Sequence, residues 1–149
     1  MLLSERFKRM DLSSFYDQIR ARGKEEGVVF GNPAVLSNTR LALMASEYAR
    51  DEGKYHAFHE NMFHAYFTDG LDIGRPDVIA AVAQKSGLNE KDMLKAVRDG
   101  RYAPRLDEAR KEGESLCLTG IPLFIIQKKY KITGAEPIES FRRILDKIK

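Results

Sequence analysis

The 149-residue sequence has no tryptophan, one cysteine and no apolar run near the ~20 residues needed to cross a bilayer. A lone cysteine, Cys117, excludes an internal disulfide framework and any Cys-x-x-Cys pair, and it fits a reducing compartment. Met1-Leu2-Leu3 runs at once into Ser4-Glu5-Arg6, so no secretory apolar segment is present and a cytoplasmic location is expected. A dominant charge is lacking too. The net +3 is the small difference between 25 basic and 22 acidic side chains. Arg98, Arg101, Arg105 and Arg110 alternate with Asp99, Asp107, Glu108 and Glu112, which describes a solvated mixed-charge surface and not a basic nucleic-acid face. No nucleic-acid or membrane partner is therefore expected.

Most of the chain reads as helix. Phe15, Tyr16 and Ile19 lie on one side of a helix over about Ser13 to Arg22, ended by Gly23. After a loop with Gly27, Gly31 and Pro33, Ser37 or Asn38 can cap a helix to Asp51, in which Leu41, Met44, Ala45 and Tyr48 follow the i, i+3, i+4, i+7 pattern. The next helix, Lys54 to Thr68, carries Tyr55, Phe58, Met62, Phe63, Tyr66 and Phe67, a stripe that reads as core. Pro76 suits the first position of a helix ended by Gly87, and Asn89 caps another ended by Gly100. Arg101 to Glu114 is helical by propensity but weakly amphipathic.

The pattern changes after Cys117. Leu123-Phe124-Ile125-Ile126 is an unbroken apolar run, the mark of a strand covered on both faces. Lys128-Lys129 is a poor turn by composition, yet Tyr130 and Ile132 alternate as a second strand would. Pro137 then opens a helix with Ile138, Phe141, Ile144, Leu145 and Ile148 on one face. The expected class is mainly α (α+β): helices over 1–115, then β-β-α over 116–149. A lone hairpin is marginal in water, so its buried strand must pair with another chain or an unrecognised segment.

Three constellations bear on chemistry. Thr119-Gly120-Ile121-Pro122 leads straight into the apolar strand; a proline there fixes a turn, and X-Pro is the bond for which cis costs little. Cys117, between Leu116 and Leu118, reads either as a lone reactive thiol or as a small buried apolar group, and the second is favoured because no flanking His, Lys or helix start would lower its pKa. His56, His59 and His64 share a helix with Glu60, but the His-Glu-x-x-His spacing is absent, so no metal site is expected.

In order along the chain stand Asn38-Thr39, Gly53-Lys54, Phe58-His59-Glu60, Phe63, Ala65-Tyr66-Phe67 and Asp72-Ile73. Asp77-Val78, Gly87-Leu88 and Gly100-Arg101-Tyr102 follow, then Thr119 to Ile126, Tyr130 and Ile132-Thr133-Gly134-Ala135-Glu136-Pro137-Ile138-Glu139. This series resembles the DsbA-like thioredoxin family, in particular its FrnE-like branch of predicted cytoplasmic dithiol–disulfide isomerases. Gly120-Ile121-Pro122 and Gly134-Ala135-Glu136-Pro137 are its most specific pieces. The resemblance implies a thioredoxin fold interrupted by a helical insertion, with a cis-Pro loop, a β-hairpin and a final helix after it. Laid on that plan the chain starts inside the insertion, and the first β-α-β with its Cys-x-x-Cys is absent. Gly120, Ile121 and Pro122 would then dock a protein or small-molecule disulfide substrate. No residue would be catalytic, no cofactor is implied, and the chain alone would not catalyse exchange, which needs a thiolate and a resolving thiol. Two rivals remain: a non-catalytic helical module forming a sheet-completing homodimer, and a fragment related to glutathione-dependent isomerases of aromatic carboxylates. Tyr130 and the Gly134–Pro137 turn favour the FrnE-like branch.

Overall fold

A computed structural model describes residues 1–148. The order is α1 (Leu3–Arg6), α2 (Leu12–Glu25), α3 (Arg40–Asp51), α4 (Tyr55–Phe63) with a π-helical turn (His64–Thr68), α5 (Pro76–Lys85), α6 (Glu90–Arg98) and α7 (Ala103–Ser115). A hairpin of β1 (Leu123–Ile126) and β2 (Tyr130–Thr133) follows, then α8 (Ile138–Lys147). This is a mainly α fold with a two-stranded sheet. It divides into two compact units, Met1–Leu106 and the residues from Asp107 onward, and the boundary falls inside α7. Leu106 packs on the helical core, whereas no side chain of α7 is fully buried.

In the first unit, sequence signals fix the helix starts. Asp11 accepts bonds from the Ser13 and Ser14 amides, and Asn89 from those of Lys91 and Asp92. Each cap satisfies donors that helix geometry leaves unpaired. Pro76 occupies the first turn of α5, where its missing N–H costs nothing. Helices α3 to α6 pack pairwise around Phe58, Ile79 and Met93, all wholly buried. Burying a side chain of that size contributes about 2–3 kcal/mol. Ala45, Ala49, Ala83 and Ala96, none of them exposed, let these helices approach closely.

Two local expectations need correction. Helix α2 does not end at Gly23 but runs on to Glu25. Gly23 is buried because the following loop folds back on it: an added Cβ would lie 2.7 Å from both the Phe30 ring and the Val28 carbonyl oxygen. The aromatic stripe is not one face but two. Phe58, Met62 and Ala65 are buried, while Phe63 is 52% and Phe67 36% exposed. Residues 58, 62 and 65 share one side of the helix and 55, 59, 63 and 67, each four apart, share another.

Within the first unit, Tyr102 and Arg105 at the start of α7 are tied to α3 by polar contacts. The Arg105 guanidinium donates to both Asp51 carboxylate oxygens (2.8 and 3.1 Å) and to Glu47 (3.3 Å), and it lies 5.1 Å from the Tyr102 ring centroid. The buried Tyr102 hydroxyl donates to Asp51 at 3.0 Å. The Arg105 bond first, and then the Tyr102 bond, hold the Asp51 carboxyl below its ordinary pKa. A carboxylate depressed in the folded state stabilises above its unfolded pKa of about 4, and the contribution is lost as pH falls through the depressed value. Asp51→Asn is therefore expected to flatten the loss of stability below about pH 4, measured by urea unfolding across pH; an unchanged acid limb would contradict the assignment.

Candidate functional site

The second unit places the Gly120-Ile121-Pro122 loop at the head of the hairpin. β1 and β2 are antiparallel, with Leu123 opposite Thr133, Phe124 opposite Ile132, Ile125 opposite Lys131 and Ile126 opposite Tyr130. The Gly134 amide donates to the Pro122 carbonyl at 2.8 Å, extending the ladder one pair beyond the strands. The Ile121–Pro122 peptide bond is cis. Ile121 is 83% exposed, and its backbone groups have no hydrogen-bond partner among the described residues. The loop thus offers a projecting apolar side chain and unpaired peptide groups beside a strand.

The hairpin turn is built differently from its composition. The Lys129 amide donates to the Ile126 carbonyl at 3.1 Å, and Gln127 and Lys128, with φ of 50° and 57°, form the centre of a type I′ turn. The turn centre is thus Gln127-Lys128 and not Lys128-Lys129. Three residues, 127–129, connect the paired Ile126 and Tyr130, and the turn holds the first two of them at positive φ against residue preference. On one face Phe124 meets Phe141 of α8 edge to face, with centroids 4.8 Å apart, and Ile132 is buried. β1 is not covered on both faces as its apolar run suggests. Phe124 is 40% and Ile125 38% exposed, and these two side chains point to opposite faces of the sheet.

Cys117 is exposed, against the expectation of a buried apolar group. The cause is the end of α7. The Leu118 amide donates to the Gly113 carbonyl and the Cys117 amide to that of Glu114, both at 3.0 Å. These are the two bonds of a Schellman motif, and Cys117, with φ 53°, holds the left-handed position where glycine is preferred. Lys131 donates from Nζ to the Leu116 carbonyl at 2.9 Å beside it.

A second feature lies in the helical unit and was not apparent as a site in the sequence. The rings of Tyr55, His59, Phe63 and Phe67 stack in a row, with centroids 5.3, 4.5 and 5.5 Å apart. Beside it is a cleft of about 660 Å³ lined by Ile19, Val28, Val29, Phe30, Phe63 and Phe67, among others. The helix stops at Thr68, so the Phe67 carbonyl is free to accept the Gly31 amide at 2.8 Å, while the Thr68 hydroxyl donates to the Val29 carbonyl at 2.7 Å. A side chain on Gly31 would collide with the Thr68 carbonyl. The i, i+4 spacing from Tyr55 to Phe67 was the sequence signal for this row. The histidines do not converge: His59 lies within the row, and His64 Nδ1 faces the Asp69 carboxylate at 3.1 Å. No group of three or more potential metal ligands gathers among the described residues, and none of their helices is long and apolar enough to cross a membrane.

The DSBA-like thioredoxin domain matches residues 9–146. The chain belongs to this family. A structure described as a probable DsbA oxidoreductase from Streptomyces coelicolor shares the fold, with a TM-score of 0.81 at 20% identity, over 97% of this chain and 64% of that one. The Bacillus subtilis protein YwbO is 27% identical over 111 residues, 72% of this chain and 56% of its own length. A shorter stretch of 65 residues, 44% of this chain, is 35% identical to DNA-binding protein HU of Thermus thermophilus, over 65% of that protein. The chain thus spans only part of each of these relatives. Within the DSBA-like fold, the Gly120–Pro122 loop, the hairpin and α8 form the second unit, and the aromatic row belongs to the helical one.

Cys117 is one of three described non-glycine residues with positive φ, beside Gln127 and Lys128. A non-glycine residue in the left-handed region costs about 1–2 kcal/mol, partly offset when glycine replaces it by the freedom glycine loses on folding. Cys117→Gly is expected to raise the unfolding free energy by about 0.5–1 kcal/mol in denaturant titrations; a loss of stability would mean that the thiol makes a stabilising contact.

Proposed function

We propose that this chain is the peptide-docking part of a DsbA-like, FrnE-type thiol–disulfide oxidoreductase. The observation that carries the reading is the Gly120-Ile121-Pro122 loop, where Ile121 projects into solvent with its own N–H and C=O unpaired beside the hairpin. An extended peptide can bond to such a backbone edge as an added strand, while Ile121 offers apolar contact next to the peptide's disulfide. The substrate class is accordingly a protein or small-molecule disulfide.

The chain's chemistry supports docking without electron transfer. Exchange proceeds by thiolate attack and needs a second thiol to resolve the mixed disulfide. With one cysteine the sequence supplies no such pair. Residues 1–149 by themselves dock the substrate and do not turn it over. The likeness to HU covers under half of the chain and is not extended to DNA binding. Basic side chains here are widely paired with acidic ones, among them Arg75 with Asp77, Arg105 with Asp51 and Arg20 with Asp17.

Two measurements on the 149-residue chain test this. Insulin reduction by dithiothreitol is expected to run at its uncatalysed rate, with or without Cys117→Ser. A peptide containing a disulfide is expected to bind, with Ile121→Asp weakening it about tenfold and Cys117→Ser leaving it unchanged. Catalysis abolished by Cys117→Ser, or peptide binding indifferent to Ile121→Asp, would contradict the reading.

A further inference from the structure

We infer that Lys131 is a positioning residue for the Gly120-Ile121-Pro122 loop, holding it from β2 through the Leu116 carbonyl at the end of α7. Its placement stands on geometry alone, and its bearing on affinity rests on the docking reading of that loop.

Strand alternation divides the side chains of the hairpin between two faces. Phe124 and Ile132 belong to the face that meets Phe141 of α8, so Leu123, Ile125, Lys131 and Thr133 stand on the other. The segment between α7 and β1 is held against this second face at two places. Lys131 donates from Nζ to the Leu116 carbonyl at 2.9 Å. Two residues further along β2, Thr133 lies against Gly120, where an added Cβ would sit 3.6 Å from the threonine methyl.

Spacing explains why both holds are needed. Same-face positions i and i+2 of a strand are about 7 Å apart, whereas the four residues from Leu116 to Gly120 could reach about 13 Å if extended. The slack is taken up by the left-handed turn at Cys117, which the bonds from Leu118 to Gly113 and from Cys117 to Glu114 close. Beyond that turn Thr119, Gly120 and Ile121 make no backbone hydrogen bond among the described residues, and the next such bond runs from Gly134 to Pro122. The loop is therefore fixed by its ends. A lysine suits the first of them, because the carbonyls at the end of a helix lack intrahelical partners and a long cationic side chain can reach one.

Two readouts on the 149-residue chain keep the geometry apart from docking. Lys131→Met keeps an unbranched side chain but loses the charge and the donors. Backbone order parameters at residues 119–121, from nitrogen-15 relaxation, are expected to fall from about 0.85 towards about 0.6 while helical circular dichroism is retained. Lys131→Arg, which still offers charged donors, is expected to restore them. Affinity for a disulfide-containing peptide is expected to fall about fivefold in Lys131→Met and to stay within about twofold of wild type in Lys131→Arg. Should Lys131→Met fail to fold, Lys131→Gln, too short to reach Leu116, carries the same expectations. Order parameters unchanged by loss of the lysine, a loss that arginine does not restore, or looser order with unchanged affinity would each overturn the proposal. If the wild-type chain binds no such peptide, the docking reading fails, and the relaxation comparison still decides whether Lys131 holds the loop.

Discussion

Every backbone amide and carbonyl taken from water needs a partner, and this requirement explains the chain's irregular segments better than any side-chain preference. Where the π-helical turn ends, the Phe67 carbonyl accepts the Gly31 amide, and the loop after α2 is pinned there. Where α7 stops, the amides of Cys117 and Leu118 turn back to the carbonyls of Glu114 and Gly113. Pro122, which has no amide, still accepts from Gly134 and so lengthens the hairpin. The outward groups of Leu123 and Ile125 are where this accounting stays open within the described residues, and an uncharged apolar strand is an unfavourable place to leave it open.

The two units meet the requirement with different resources. The helical one bonds its own backbone internally and spends its sequence on packing: Phe58, Ile79 and Met93 fill the centre, and alanines set the helix spacing. Its surface contacts, such as Arg105 with Asp51 and Glu47, fasten an already stable arrangement. The β-β-α unit has little of this. Ile132 is its one buried hydrophobic residue among those described, and α8 is amphipathic yet buries none of its side chains fully.

Much of this was legible in the residues. Asn89 and Pro76 mark helix starts because capping is local chemistry, readable without knowing the fold. The apolar run 123–126 and the alternation at Tyr130 and Ile132 gave both strands, and the order of motifs pointed to the DSBA-like family that the chain matches. What could not be read depends on where the chain goes next. Cys117 has an apolar sequence environment, but its exposure follows from a left-handed turn that closes only through bonds to Gly113 and Glu114. Gln127 and Lys128 give no turn signal, and the turn holds them at positive φ against residue preference. The Tyr55–Phe67 stripe was dense enough to conceal that it occupies two sides of a helix, one buried and one open.

Amide hydrogen exchange, resolved by residue along β1, tests the central claim most directly. With the ladder phase set by the Gly134–Pro122 bond, the amides of Phe124 and Ile126 point into the hairpin and exchange at least about a hundredfold more slowly than in an unstructured chain, whereas those of Leu123 and Ile125 point away from β2 and exchange faster than either. Fast exchange at 124 and 126, or protection at 123 and 125 in their place, would mean the opposite ladder phase and contradict the account.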